Sequence, residues 1–582
     1  MRKNSVSLTM IVRNESANLE ACLLSAGEQV DEIVIVDTGS TDETRQIAER
    51  YTDRVFLYPW DNDFSAARNY AIGKARGEWI LSLDADEQLI AGTGDLRRLV
   101  STGASPEAYM LPLHYPTTDA PGEYNRFLVL RLFKNNGRYR FKGRIHEQIV
   151  VTASGTVDIA DGPVIYHQHL PSAERNRKRH RNLVLLKQAC AEEPDNIFLR
   201  YYLAVEWLAL GKPHRALPLF REAYESLTDD HLLFRAPALR YLIISLRALG
   251  RFEEAIDICR KVAQHYPSYT DIFYLCGVLY EEQHQYHEAV KWLQSALERG
   301  IPPAIYSHMH GTGSFLAHYH LGYCRERLGQ REPAERHYER AIDANPDYVY
   351  PVYNLFLIVQ GRLGARQALD CFSARGYLDS AERALAVAEL YFKAGYPGLA
   401  KRCLERCQTD SGTEMVRFSL GLYNLYSGHL QRVLMYLDTI AAENPLYPQV
   451  QIHKALALLL LGRTCATRTL AFVLWEDPQY RPVTRILLQL VRYLKKGWRP
   501  EVCDDGLRQA SLALLERYRY YLPKFTKTRH QHRFRLIIDG LESIAQRSSP
   551  QGALALAGLF QERAQAVQDL LNYQFGVFGD RT

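Results

Sequence analysis

Glu32-Ile-Val-Ile-Val-Asp37-Thr-Gly-Ser-Thr-Asp42 decides the fold of the first 170 residues. An unbroken β-branched run reads as a buried strand, Asp37 stands at its end, and the small polar residues that follow are turn and helix-start chemistry. Asp42–Tyr51 continues with helical periodicity, its first acids near the positive end of the helix dipole. Working outward, Ser7–Val12, Arg54–Tyr58 and Trp79–Asp84 read as strands and Asn18–Ala26 as a helix. This β-α-β-α-β order predicts a mainly parallel sheet, which binds ligands outside the carboxyl ends of its strands. Asp37 and Asp84 fall at those ends.

Four stretches carry candidate chemistry. Asn14-Glu15 and Asp37-Thr-Gly-Ser-Thr close two neighbouring strands with acceptors and flexible backbone, where an Asp can accept from a base N–H or a ribose hydroxyl. Ser40, Thr41 and Asp42 read as helix caps. In Asp63-Phe-Ser-Ala-Ala-Arg68-Asn69 the arginine suits a phosphate as a planar fork and the asparagine would orient it, a surface salt bridge being the alternative. Asp84-Ala-Asp86-Glu87 ends a strand with oxygens spaced for a hard divalent cation that also takes diphosphate oxygens. Arg131-Leu-Phe133, His146-Glu147 and Tyr166-His167-Gln-His169 come last; His146 and Glu147 fit either an acid/base pair or a polar turn.

From about Asn182 the pattern becomes helical and repetitive. Leu-Gly or similar turns recur at Gly329, Gly364, Gly395, Gly428 and Gly462, at intervals of 35, 31, 33 and 34 residues, and alanines follow several turns, as at Ala255, Ala289 and Ala400. Pro267, Pro346, Pro445 and Pro478 close units. About eight helix–turn–helix units fit between 196 and 480, with the turn-rich Gly300–Ser314 interrupting the stack. Stacked repeats make a curved surface suited to an extended partner. Ala173–Leu183 carries five Lys/Arg and reads as a linker helix whose basic face is solvated or contacts the head. Arg517–Arg535 carries seven Lys/Arg, no acid and five aromatics, which fits nucleic acid, an anionic membrane or, with its rings buried, an ordinary amphipathic helix.

Composition frames these readings. A chain of 582 residues predicts three to five units at roughly 100–200 residues each, and 47% hydrophobic with 24% charged residues excludes disorder, collagen and coiled coil. No apolar run approaches the ~18 residues that span a bilayer, and Met1–Arg13 lacks a secretory pattern, so a cytosolic protein is expected. The net charge of +5 divides into −5 for residues 1–170 and +10 for the rest. The acidic head argues against nucleic acid as a partner. Ten cysteines lack zinc-site spacing.

Asn14-Glu15, Asp37-Thr-Gly-Ser-Thr-Asp42, Asp63-Phe-Ser-Ala-Ala-Arg-Asn69 and Leu83-Asp-Ala-Asp86 stand in the order and spacing of family 2 glycosyltransferases, so the head resembles that family. The fused helical units resemble tetratricopeptide repeats, and the combination is similar to the branch that includes sublancin-type peptide S-glycosyltransferases. The resemblance implies an α/β GT-A (Rossmann-like) domain over 1–170, a basic helical linker over 171–195, an all-α tetratricopeptide-repeat solenoid over 196–480 and a C-terminal helical region over 481–582. It implies a metal-dependent, inverting enzyme that moves a sugar from a nucleotide-sugar donor to a peptide or protein acceptor held by the repeats. Asp37 would contact the nucleobase, Arg68 with Glu15 and Asn69 the donor, and Asp84 the ribose or sugar. Asp86 would bind Mg²⁺ or Mn²⁺, with His167 or His169 completing the metal shell. The family's acidic pair for the catalytic base is not evident, and His146-Glu147 stands near its place, Glu147 being the base. A thiol acceptor, with a pKa of about 8.5, needs less help from a base than a hydroxyl. Two alternatives stand beside this reading: the same chemistry on a cell-envelope or lipid-linked saccharide, with 517–535 resting on a membrane, or a non-enzymatic repeat adaptor. The joint presence of Asp37, Arg68, Asp84 and Asp86 argues against the adaptor. Self-association stays open.

Overall fold

The computed structural model describes residues 4–101, 106–117, 122–151, 156–170, 172–407, 413–476, 478, 480–496, 505–521 and 528–546. They form two compact units, Met1–Tyr348 and Val349–Thr582.

The first unit opens with strand β1 (Val6–Val12), helix α1 (Leu19–Gly27), β2 (Glu32–Asp37), α2 (Thr44–Tyr51), β3 (Val55–Leu57), α3 (Phe64–Lys74) and β4 (Trp79–Ser82). β1 lies between β2 and β4, parallel to both, with Val12 opposite Asp37 and Thr9 opposite Ser82. This common register brings the carboxyl ends of three strands to one edge. Val6, Leu8, Met10 and Val12 are buried with Leu19, Cys22 and Ala26 of α1, while Ile72 of α3 packs with Ile80 and Phe133. Apolar side chains on both strand faces are what a sheet covered on both sides requires.

After β5 (Glu87–Leu89) and α4 (Leu96–Ser101) come β6 (Ala108–Pro116), β7 (Tyr124–Lys134), β8 (Tyr139–Lys142), β9 (Gln148–Val151), β10 (Val157–Ile159) and β11 (Ile165–His167). Beyond β4 the strand directions mix: β7 runs antiparallel to β4 and to β6, β10 and β11 pair parallel with β6, and β5 runs antiparallel to β11. The order is β3-β2-β1-β4-β7-β6-β11-β5, with β10 also on β6 and with β8 and β9 as a separate hairpin. The sheet is therefore mixed. The pairing of β5 with β11 sets Glu87 opposite His167.

Helix α5 (Ser172–Glu192) is the basic linker, and α6 (Ile197–Ala209) begins the helix pairs. The repeat logic is visible in packing: Ala255 and Ala289 are fully buried, and a Cβ on Gly277 or Gly322 would press into Leu293 or Tyr338 of the partner helix. Gly250 and Gly329 turn the chain at φ of 72° and 74°, where a side chain is strained. The segment Gly300–Ser314 does interrupt the stack. His308–Met309 pairs with Asn125–Arg126 of β7, so the interruption adds an edge strand to the head's sheet. Arg240 and Asp271, both fully buried, hold it: Arg240 donates to Ser307 O at 2.7 Å, and Asp271 accepts from Met309 N and Thr312 Oγ1, each at 2.9 Å.

The second unit runs through helices from Tyr350–Leu363 to Thr528–Gln546. Ala400 is fully buried beneath its turn, as in the first unit. Tyr518 and Phe534, two aromatics of the basic stretch, are buried with centroids 5.5 Å apart and belong to this unit's core. Phe525 of that stretch lies outside the described residues. No described helix is long and apolar enough to cross a membrane.

Candidate active site

The loop after β1 and the loop after β2 interlock. Asn14, at φ 55°, accepts from Thr41 N at 2.7 Å, and Asn14 N donates to Ser40 Oγ at 3.1 Å. Asp42 accepts from Thr44 N and Ser16 N, and these bonds hold its carboxyl down at about 2 against the cost of burial. None of the three expected caps is the N-cap of α2, which is Glu43: Asp42, one residue before it, accepts from Thr44 N, while Ser40 and Thr41 tie the two loops. Asp37 is buried, and its Oδ1 accepts from Gly39 N and Ser40 N at 2.9 and 2.8 Å.

Asp84 is clamped from two sides. Arg68 Nη2 reaches Oδ1 at 2.5 Å and Arg131 Nη2 reaches Oδ2 at 3.0 Å. Arg68 arrives on α3, whose start is fixed by Asp63 accepting from Ala66 N at 3.0 Å, and its guanidinium lies over Phe141. Its Nε donates to Glu147, while its Nη1 is buried without a hydrogen-bond partner. Arg131 also donates to the buried Glu87 at 2.7 Å. Burial pushes the Asp84 carboxyl up, but the two guanidinium groups outweigh it and hold it well below the usual range. Glu87 is pushed up by burial.

Asp86 faces a different set. Its Oδ2 accepts from Lys178 Nζ at 3.0 Å and lies 3.6 Å from His167 Nε2, and Gln168 N donates to the Asp86 carbonyl at 2.7 Å. His167 Nδ1 is 2.9 Å from the carbonyl of Gln168, which orients the ring with Nε2 toward the carboxylate. Lys178 also donates to Glu15 Oε1 at 3.0 Å. Burial works against its charge, and Asp86 and Glu15 outweigh it, raising its pKa. Among the described residues no three His, Cys, Asp or Glu side chains gather as a metal set. Asp86 and His167 are thus a carboxylate–imidazole pair, a donor combination that suits a cation completed by ligand oxygens.

The structure therefore brings together Glu15, Arg68, Asp84, Asp86, Glu147 and His167. It places two expected residues elsewhere. Asn69 spends its amide on Phe141, donating to the carbonyl at 2.8 Å and accepting from the N–H at 3.0 Å. His146, at φ 50°, stacks on Tyr202 of α6 at 4.0 Å, and burial, aided by Arg181, pulls it down to about 4. Its Nε2 is 3.9 Å from Glu206 Oε1. Glu206 was not foreseen: it is buried on α6, accepts from Asn182 at 3.1 Å and Arg179 at 3.3 Å, and is raised by burial. A lone acid inside the apolar run of α6 is the signal that marks it.

A sheet with acids and arginines at the carboxyl ends of its parallel strands defines an α/β domain that holds its ligand at that edge. Residues 7–156 match the model of glycosyl transferase family 2, and residues 201–270, 246–300 and 316–348 match tetratricopeptide-repeat models. The chain carries a family 2 glycosyltransferase domain followed by tetratricopeptide repeats. It is similar to a TPR repeat-containing protein of Synechococcus elongatus, 43% identical over 144 residues, 25% of this chain and 35% of that protein. It is also similar to the SPbeta prophage-derived glycosyltransferase SunS of Bacillus subtilis, 26% identical over 289 residues, 46% of this chain and 65% of SunS. The lipopolysaccharide core biosynthesis glycosyltransferase LpsC of Rhizobium meliloti is 29% identical over 161 residues, 25% of this chain and 58% of LpsC. The chain thus spans between 35% and 65% of the length of these relatives.

Proposed function

We propose that the protein is a cytosolic, inverting glycosyltransferase that moves a sugar from a nucleotide-sugar donor to a peptide or protein acceptor presented by the repeats. The observation that carries this reading is the clamped Asp84 beside the Asp86–His167 pair, at the strand edge where a donor binds. Asp37, with Oδ1 held by backbone amides, offers Oδ2 to the nucleobase. Asp84, fixed by Arg68 and Arg131, accepts from ribose or sugar hydroxyls without having to reorganise. Asp86 and His167 would hold Mg²⁺ or Mn²⁺, which would supply positive charge beside the leaving nucleoside diphosphate. Glu147 is the candidate base. Its carboxylate is shared with Arg68, and a thiol acceptor with a pKa of about 8.5 asks less of a base than a hydroxyl does.

The fused repeats, which suit an extended partner, favour a peptide or protein acceptor, and the similarity to LpsC favours a second reading, transfer to an envelope saccharide. The test is release of nucleoside diphosphate from a panel of nucleotide sugars with Mn²⁺, followed by mass spectrometry of peptide and saccharide acceptors. Asp86→Ala should lose about a hundredfold or more in turnover with melting temperature unchanged. Equal turnover in that variant sinks the reading.

A further inference from the structure

Lys178 comes from the linker helix, outside the family 2 match, yet its ammonium ends on the carboxylate expected to bind metal. It is only 25% exposed and is held at 3.0 Å by both Asp86 Oδ2 and Glu15 Oε1. Beside it, His167 presents Nε2 to the same Asp86 oxygen at 3.6 Å while Nδ1 faces the Gln168 carbonyl. Two carboxylates, Asp86 and Glu15, converge at this point from different loops, and the Lys178 ammonium supplies the positive charge between them. The two arginines that hold Asp84 do not reach Asp86: Arg131 serves Asp84 and Glu87, and Arg68 serves Asp84 and Glu147.

We propose that Lys178 is the resident counter-cation of the donor-free site. A divalent cation entering with the donor takes its place on Asp86, and the ammonium passes to an oxygen of the donor's diphosphate. The inference rests on the reading of Asp86 as a metal ligand. It makes metal and donor binding cooperative: metal alone must displace a paired ammonium, whereas metal with a diphosphate gives that ammonium a new anionic partner. It also gives the linker helix a role in the site, because the charge that guards the donor pocket is carried by the segment that joins head to repeats.

Mn²⁺ binding to the full chain, followed by the loss of the free-ion electron paramagnetic resonance signal, tests this without any turnover. In the absence of nucleotide, Lys178→Met and Lys178→Gln should bind Mn²⁺ about tenfold or more tighter than wild type, since a positive charge a few ångströms away is removed. Lys178→Arg should not. The gain should vanish when Asp86→Ala is added. Equal Mn²⁺ affinity in wild type and both neutral variants, with binding still abolished by Asp86→Ala, overturns the role of Lys178 and leaves the proposed function standing. No Asp86-dependent Mn²⁺ binding in any of these proteins, with or without UDP or GDP, overturns both. Either neutral variant decides the matter if the other fails to fold.

Discussion

Asp84 of the head meets two guanidinium groups, Arg68 at 2.5 Å and Arg131 at 3.0 Å, with 31% of its side chain exposed. Asp271 of the repeats meets one, Arg240 at 3.0 Å, and neither partner is exposed at all. Burial acts on both, yet Asp84 is held well below the usual carboxylate range while burial pushes Asp271 up. The difference is the balance of charge: two cations at a site that solvent can reach, against one cation in a sealed core. The first arrangement keeps a charged acceptor at the strand edge, where the proposed function puts the donor. The second is a rivet, satisfied by Met309 N and Thr312 Oγ1, that holds the inserted segment against β7.

The comparison breaks if the two sites respond alike to mutation. Asp271→Ala leaves Arg240 buried and unpaired, so stability should fall by about 3–5 kcal/mol in denaturant titration, with nucleotide affinity of the folded fraction unchanged. Replacing both partners, Asp271→Leu with Arg240→Leu, should cost much less, because no charge is left stranded. Asp84→Asn should do the reverse. Turnover should fall by about 10²–10³-fold while the denaturation midpoint barely moves, since Arg68 keeps Glu147 and Arg131 keeps Glu87. Comparable stability losses at both positions would show that the Asp84 clamp is scaffold rather than site.

How far these roles could be read from sequence follows the same division. The parallel strands were legible because Val6–Val12 and Glu32–Asp37 are β-rich segments followed by polar turn residues, and the repeats because small residues must recur where helices cross. The half of the sheet beyond β4 was not legible: Ala108–Pro116 carries Pro112 and Pro116, which read against a strand, and Tyr124–Lys134 mixes Asn125, Arg126 and Arg131 with apolar residues because parts of its faces are only half-buried. Nor could a two-residue strand at His308–Met309 show any period. In the site, the order Asp37, Arg68, Asp84, Asp86 pointed to one edge. Which atoms bond was not legible, since Arg131, Lys178 and Glu206 reach the site only through strand register and helix packing. Asn69 shows the converse: beside a catalytic-looking arginine, it is spent on the backbone of Phe141.

The seam where the inserted segment meets the sheet sharpens the comparison through pH. His114, Tyr124 and His310 stack in series, at 4.1 and 4.3 Å, beside His308 and Arg126. Burial first, then Arg126, lowers all three histidines, His114 to about 4 and His308 to about 3 from 6.5. A histidine depressed in the folded state stabilises fully above 6.5, and that stability is lost as pH falls, because the unfolded chain binds the proton first. Between pH 6.5 and 5 His308 alone should withdraw about 2 kcal/mol. Thermal melts across that range should fall steeply in wild type and less in His308→Gln; parallel curves would remove the seam from the account of acid stability.

The smallest expected effect lies at Asp63, and it separates positioning from chemistry in the head. Its carboxylate caps α3 by accepting from Ala66 N at 3.0 Å, and α3 carries Arg68 one turn further on. Asp63→Ala should cost about 1 kcal/mol of stability, the usual worth of such a cap. It touches no atom of the Asp84 clamp, so its effect on donor binding can travel only through the placement of Arg68. The expected outcome is a few-fold weaker nucleotide affinity with turnover at saturation kept, measured by titration and initial rates, and with affinity and stability restored in Asp63→Ser, which can cap the same amide. A loss of turnover at saturation that Ser does not repair would mean that Asp63 itself acts on the donor, and the capped helix would then belong to the chemistry rather than to the frame that aims it.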